Sequence, residues 1–89
     1  FRPREAMMGT KDLRDAFNLA ADGRATCNVA TLAYERVDGK EWQVLSFSGT
    51  DAAGAPFMVQ SERLKAGTNV LEAARETALA LVDKGKPSP

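Results

Sequence analysis

The segment TLAYERVDGKEWQVLSF, residues 31–47, carries the dipeptide Asp38-Gly39 between two runs rich in β-branched and aromatic residues. Asp-Gly is typical of a two-residue type I′ hairpin turn, because both turn positions need a positive φ that Gly and Asp tolerate. We therefore predict two antiparallel strands joined by this turn, TCNVATLAYERV at 26–37 and EWQVLSFSG at 41–49.

The turn also predicts the register, since Val37 must lie opposite Lys40 when Asp38 and Gly39 form the loop. One hairpin face is apolar at its centre and is predicted to face the core. Its pairs are Arg36 with Glu41, Tyr34 with Gln43, Leu32 with Leu45, and Ala30 with Phe47. The other face is more polar and is predicted to be the outer face. Its pairs are Glu35 with Trp42, Ala33 with Val44, Thr31 with Ser46, and Val29 with Ser48.

A third strand is predicted in PFMVQSERL, residues 56–64, with Phe57 and Val59 facing the core. Its outward-facing residues are Met58, Gln60 and Glu62. The preceding loop at 49–56 contains two glycines, but it lacks the Lys-Ser or Lys-Thr pair of a phosphate-binding loop and leads into no helix. We predict a hairpin turn there rather than a ligand-binding loop.

Apolar residues at helical spacing predict one helix on each side of the strands. The first has Thr10 as its predicted cap and ends at Asp22-Gly23. Its core residues are Leu13, Ala16, Phe17 and Ala20. The second begins with a predicted capping box of Asn69 and Glu72 and ends near Asp83. Its predicted buried stripe is Leu71, Ala74, Ala78, Leu81 and Val82.

Together these elements predict an α+β fold of order α-β-β-β-α, in which two helices cover one face of a three-stranded antiparallel sheet. A chain of 89 residues has room for one core. We expect residues 1–9 to be a disordered tail or an expression remnant, 10–84 to form a single domain, and 85–89 to be a flexible tail.

This order of elements is similar to that of double-stranded RNA-binding domains, over residues 10–83. Those domains hold phosphates with lysines at the start of their second helix. The corresponding segment is RLKAGTN, residues 63–69, in which Arg63 and Lys65 are the cations and Glu72 follows in the first helical turn. The resemblance implies RNA binding at this helix start.

Composition excludes several classes of function. With no histidine, the chain lacks the usual base of Ser-His-Asp and Cys-His catalysis and the commonest zinc ligand. Twelve Lys plus Arg balance twelve Asp plus Glu, so no net charge attracts nucleic acid or an anionic membrane. We expect neither an enzyme nor a protein that holds a cofactor or a metal. A single cysteine favours a reducing cytoplasm, and the abundance of Ala, Gly, Asp and Arg suggests a bacterial or phage origin.

The main functional candidate is an apolar patch on the outer face with Trp42 as its anchor, because Trp is enriched in interface hot spots. Its predicted members are Trp42, Val44, Val29, Ala33 and Met58. We predict that it binds a protein partner or a second copy of the chain, or that a sheet edge extends another chain's sheet. The alternative is that Trp42 folds over the sheet edge and binds nothing.

A second candidate is anion or nucleic-acid binding at the start of the second helix, where backbone N–H groups point outward. Its predicted residues are Arg63, Lys65, Gly67 and Thr68, assisted by Arg24 and Lys11. The structural alternative is a turn at Gly67 and a cap that uses those N–H groups. Cys27 is predicted on the outer face as a small packed side chain rather than a reactive thiolate.

Overall fold

The computed structural model describes residues 3–84 and the side chains of residues 10–83. Residues 1–2 and the tail predicted at 85–89 lie outside the described residues. The elements in chain order are α1 (Pro3–Ala21), β1 (Ala25–Val37), β2 (Lys40–Asp51), β3 (Pro56–Gln60), β4 (Leu64–Lys65) and α2 (Val70–Lys84). The α+β fold is confirmed: the four strands form one antiparallel sheet with β2 at its centre, and both helices pack on it. β1 pairs with one side of β2, and β3 and the short β4 pair with its other side.

The hairpin turn and the register are confirmed. Asp38 and Gly39 have φ angles of 52° and 77°, the positive values that a type I′ turn requires. Val37 pairs with Lys40, and the predicted cross-strand pairs continue as far as Val29 with Ser48. The face carrying Ala30, Leu45 and Phe47 is buried beneath the helices.

The core is centred on an aromatic stack that joins α1 to the sheet. The ring of Phe17, which is fully buried, lies 4.7 Å from that of Phe47 on β2 and 5.7 Å from that of Phe57 on β3, measured between centroids. Leu13, also on α1, is buried beside this stack. One helical side chain thus packs on two neighbouring strands, and this holds α1 across the sheet.

Both helices differ in detail from the prediction. α1 begins at Pro3, so Thr10 lies inside the helix rather than capping it; Pro fits the first turn of a helix, where its missing N–H needs no partner. In α2, the side chain of Leu71 was predicted to be buried but is 38% exposed. Its place in the core is taken by Ala73, and the small side chains of Ala73, Ala74 and Ala78 let α2 pack closely against α1.

A β-bulge in β1 corrects the predicted position of Cys27. Val29 pairs with Ser48 but Cys27 pairs with Gly49, so Asn28 is an extra residue and the side-chain alternation reverses beyond it. Cys27 consequently lies in the core, not on the outer face. The prediction failed because it extended a regular alternation through the bulge.

Gly49 has no side chain because the bulge leaves no room for one. A Cβ atom at this position would lie 2.9 Å from the Cα of Cys27 and closer still to the carbonyl oxygen of Thr26. Both obstacles are backbone atoms, so they cannot move without breaking the pairing of β1 with β2.

A second irregularity divides the predicted third strand. Gln60 pairs with Ser46 and Leu64 with Gln43, so one extra residue lies between β3 and β4. At this point the N–H of Leu45 donates to the Ser61 hydroxyl (2.9 Å), and the N–H of Ser61 donates to the Leu45 carbonyl (2.8 Å). The Ser61 side chain therefore replaces one backbone group of a regular ladder.

We predict that Phe17→Ala lowers the free energy of unfolding by about 3–5 kcal/mol, because it leaves a cavity between both strand phenylalanines. Urea denaturation followed by circular dichroism measures the loss. Leu19→Ala is the matched control on the same helix, since Leu19 is 76% exposed and its truncation should change stability little. Equal losses of stability in the two variants would mean that the aromatic stack is not central to the core.

We also predict that Gly49→Ala destabilises the fold by about 3 kcal/mol or more, since the added methyl group collides with backbone atoms. Ser48→Ala, one residue away on the outer face, should change the free energy of unfolding by less than about 0.5 kcal/mol. Thermal and urea unfolding of both variants provide the comparison. A stable Gly49→Ala variant would show that the bulge is not packed this closely.

Candidate functional site on the outer face of the sheet

We define the outer face as the side of the sheet opposite the helices. Cross-strand pairing orders its side chains into rows that run across the strands. The rows are Val29, Ser48 and Met58; Thr31, Ser46 and Gln60; Ala33 and Val44; and Glu35, Trp42 and Lys65. The first and last rows are six residues apart along β1, which corresponds to about 20 Å.

The first row contains the exposed apolar surface. Val29 on β1 is 55% exposed and Met58 on β3 is 77% exposed, and the small side chain of Ser48 lies between them on β2. Large residues on the outer strands and serines on the central strand leave a shallow groove of about 170 Å³, lined by Ser46 and Ser48 as well as by the two apolar side chains. This groove could hold an apolar side chain from a partner.

At the other end of the face, Trp42 is half-buried and lies opposite Lys65 of β4. An ion pair crosses the central strand there: Nε of Arg63 lies 3.2 Å from Oε2 of Glu35. Glu35 belongs to β1 and Arg63 to the segment beyond β3, so this contact must pass over β2 on the outer face. The extra residue between β3 and β4 gives Arg63 this position.

Val44 lies where this ion pair crosses β2, and it is only 8% exposed. The predicted apolar patch is therefore two surfaces rather than one. Val29 and Met58 form an accessible groove, whereas Trp42 lies among charged side chains and Val44 is covered. Ala33 is exposed on β1 between the two ends. The sequence contained no signal for the role of Arg63, because that role depends on the irregular segment after Ser61.

At the start of α2, the structure shows a capped helix. The Asn69 side chain accepts hydrogen bonds from the N–H groups of Leu71 (3.1 Å) and Glu72 (3.2 Å), which confirms Asn69 as the cap. The Glu72 carboxylate instead accepts a hydrogen bond from Arg75 at 2.8 Å, so the predicted second half of the capping box is replaced by an ion pair. These two N–H groups are thus already used within the chain.

Three of the four predicted anion-binding cations are also engaged within the chain. Arg63 pairs with Glu35, Lys11 pairs with Asp15 at 3.1 Å, and Nε of Arg24 donates to the carbonyl of Ala21. Gly67, at φ 88°, and Thr68, whose N–H donates to the carbonyl of Lys65, form the turn into α2. The structure therefore places Lys65 on the outer face beside Trp42 and gives Gly67 and Thr68 backbone roles.

The loop between β2 and β3 is a turn closed by Asp51. Its carboxylate accepts hydrogen bonds from the N–H groups of Ala53 and Ala55, both at 2.9 Å. The N–H of Ala52 donates to the carbonyl of Arg24, which ties the turn to the loop after α1. The Asp51 side chain is therefore used to hold the backbone, as expected for a hairpin turn.

Cys27 is a buried free thiol. Burial raises the pKa of the Cys27 thiol, although hydrogen bonds to the backbone of Ser48 and Val29 and the charge of Arg14 act in the opposite direction. The thiol donates to the carbonyl of Val29 at 3.1 Å. This environment favours the protonated form, which is a poor nucleophile.

A scan against protein-family models finds no match to this chain, and searches of curated proteins and of solved structures return no significant match. The likeness to double-stranded RNA-binding domains thus remains one of element order. In the part of the chain that the structure describes, no helix is both long and apolar enough to cross a membrane. In the same residues, no three Cys, Asp or Glu side chains converge in a way that could hold a metal ion.

We predict that Arg63→Ala uncovers the Trp42 end of the outer face and shifts the fluorescence emission of Trp42, the single tryptophan, to longer wavelength. Stability should fall by no more than about 1 kcal/mol, since both side chains of the ion pair are about half exposed. Arg36→Ala is the matched control, because Arg36 pairs with Glu41 on the opposite face of the hairpin. An unchanged spectrum in Arg63→Ala would mean that the arginine does not shield this region.

Proposed function

We propose that this chain is a small, non-catalytic cytoplasmic interaction module, which docks a partner protein or a second copy of itself through the outer face of the sheet. The proposal rests on the row of Val29, Ser48 and Met58. Two exposed apolar side chains on opposite sides of a small polar residue form a contiguous apolar surface, and covering this surface with a partner would be favourable. The flexible Met58 side chain suits a surface that must adapt to such a partner.

The rest of the outer face supports the same use. Thr31, Ser46 and Gln60 offer hydrogen-bonding groups next to the groove, and Nε2 of Gln60 lies 3.4 Å from the Ser46 hydroxyl. Trp42 adds an aromatic surface at the far end, with charged neighbours that fit the polar rim of an interface. The length of the face suits an extended peptide or the flank of a folded domain rather than a small molecule.

Nucleic-acid binding is the competing function, and three of its four proposed cations, Arg63, Lys11 and Arg24, have internal partners. Separating Arg63 from Glu35 would leave the carboxylate facing the phosphates, which opposes binding. A neutral chain also lacks the net positive charge that drives counterion release. These features favour the protein-binding proposal over the nucleic-acid one.

The test is a double substitution, Val29→Ser with Met58→Gln, which removes the apolar walls of the groove at exposed positions. Leu19→Gln is the control, because it replaces an equally exposed apolar side chain on α1. Self-association by sedimentation velocity, and cross-linking of partners in cells that express the full chain, should weaken at least about tenfold in the double variant only.

Salt dependence separates the two functions. The affinity of a protein that docks in the groove should change little between about 0.1 and 0.5 M salt, whereas the affinity for nucleic acid should fall steeply. If the double variant binds as well as the natural chain, or if Arg63→Ala with Lys65→Ala abolishes a salt-sensitive interaction, the protein-docking proposal is wrong.

A further inference from the structure

β3 lies at one edge of the sheet, and its backbone groups alternate between β2 and the outside. Both backbone groups of Leu45 bond to Ser61, just beyond the end of β3, so alternate residues of β2 from Leu45 direct their polar groups towards this side. The next two such residues pair with Val59 and Phe57. The backbone groups of Val59 and Phe57 are therefore used within the sheet.

The intervening residues, Met58 and Gln60, direct their N–H and carbonyl groups away from β2. We call these four groups the β3 edge. Among the described residues, none of the four has a hydrogen-bond partner. Met58 is 77% exposed and Gln60 is also exposed, so the described part of the chain leaves this edge accessible. The β3 edge can therefore accept an added strand.

A crevice runs beside the β3 edge, on the helix side of the sheet. α2 packs mainly against α1 and touches β3 only lightly, so the space between α2 and β3 is incompletely filled. The side of α2 that faces this space carries small residues at helical spacing, Ala73, Thr77 and Ala80. We call this space the α2 crevice.

Two cavities lie along the α2 crevice. The first has a volume of about 370 Å³ and is lined mainly by apolar side chains, with Phe57 on β3 and Leu81 and Val82 on α2. Arg24 and Asp51 also line it, and their opposite charges offset each other. This cavity suits an uncharged apolar side chain.

The second cavity, of about 320 Å³, is lined by Leu64 and by the residues of two carboxylates, Glu62 and Glu76. Neither carboxylate forms an ion pair with a described residue, whereas the other three glutamates within residues 10–83 all do. Two exposed, unpaired carboxylates beside one cavity favour a basic side chain there. The two cavities lie roughly four residues apart along the strand direction.

We propose that the β3 edge and the α2 crevice bind an extended segment of a partner protein, which adds to the sheet as a strand antiparallel to β3. This binding mode rests on the proposed function, because the Met58 side chain forms one wall of the groove while its backbone belongs to the β3 edge. A partner that covers the groove therefore reaches this edge directly. The added strand forms four backbone hydrogen bonds with Met58 and Gln60.

The α2 crevice selects the side chains of the added strand. Strand side chains alternate between faces, so every second residue of the segment points into the crevice. In antiparallel orientation a basic residue lies at Glu62 and Glu76, and an apolar residue four positions later enters the cavity at Phe57. Between them a third residue lies against Val59. The segment therefore has the pattern Lys-x-Val-x-Leu, or another with the same charge and similar sizes.

The short length of β3 limits what can pair with it. The strand has only five residues and begins with Pro56, which has no N–H, and the extra residue at Ser61 ends the regular pairing. A long strand from another sheet would find few backbone partners here, which protects against edge-to-edge aggregation. A short segment that is also held by its side chains fits this edge better.

A synthetic peptide tests the binding mode on the natural chain. Fluorescein-labelled Thr-Lys-Thr-Val-Thr-Leu-Thr-amide carries the basic and apolar residues at the required spacing. Fluorescence anisotropy should give a Kd below about 0.5 mM, and at least about tenfold weaker binding when Val and Leu of the peptide are replaced by Ser. A weaker Kd for the first peptide, or equal binding of the two, would overturn the proposal.

A backbone variant tests the strand addition. Gln60→Pro removes one outward N–H without breaking a bond to β2, so it should raise the Kd of the peptide about tenfold or more. Gln60→Thr keeps that N–H and should keep most of the affinity. Circular dichroism confirms that both variants fold. Equal affinities of the two folded variants would show that the peptide does not pair with β3.

A charge reversal tests the place of the basic residue. Glu76→Lys should raise the Kd about fivefold or more, because it replaces attraction by repulsion at an exposed position. It should also bind the peptide with Glu in place of Lys more tightly than the natural chain does. Asp12→Lys makes the same change of charge on α1 and should leave both affinities unchanged. Equal effects of the two variants would overturn this placement.

The groove variant Val29→Ser with Met58→Gln separates this binding mode from the proposed function. It keeps the β3 backbone and both carboxylates, so it should bind the peptide within about threefold of the natural chain while its capture of the partner weakens. If the groove variant loses the partner but Gln60→Pro keeps it, the docking on the groove stands and strand addition is wrong. If Gln60→Pro loses the partner but the groove variant keeps it, strand addition stands and the docking on the groove is wrong.

Discussion

The structure depends on the pairing of β1 with β2 in the register set by the turn at Asp38 and Gly39. Strand side chains alternate between faces, so a shift by one residue would place Trp42 and Val44 under the helices and expose Leu45 and Phe47. The register cannot shift in this way because Val37 pairs directly with Lys40, which leaves Asp38 and Gly39 as the whole turn. The Phe17 ring can stack on the sheet only because Phe47 faces inward.

Two one-residue irregularities adapt this regular hairpin to its surroundings. The bulge at Asn28 turns Cys27 into the core and is closed by the Asn18 side chain from α1. The extra residue after Gln60 returns Leu64 to the core side and carries Arg63 over β2. In both places a polar side chain replaces a backbone partner, so the backbone groups of the interrupted strand keep their hydrogen bonds.

These features give the two ends of the outer face different characters. One end presents the groove between Val29 and Met58, which would select a partner by side-chain fit. The other end presents the half-buried Trp42 among the charged side chains of Glu35, Arg63 and Lys65. Charged neighbours around an aromatic side chain resemble the polar rim of an interface.

The sequence by itself determined the hairpin, the faces of its side chains and the α-β-β-β-α order. The hairpin and its faces follow from the turn dipeptide, and the order follows from the spacing of apolar residues within each short segment. It also correctly placed Val29 and Met58 on the outer face. Only the tertiary structure decided that Cys27 is buried and that Val44 is covered. Each of these depends on a bulge. A bulge is stabilised by residues that are distant in the sequence, such as Asn18, Gly49 and Ser61, and no local sequence pattern shows that these residues lie close to it.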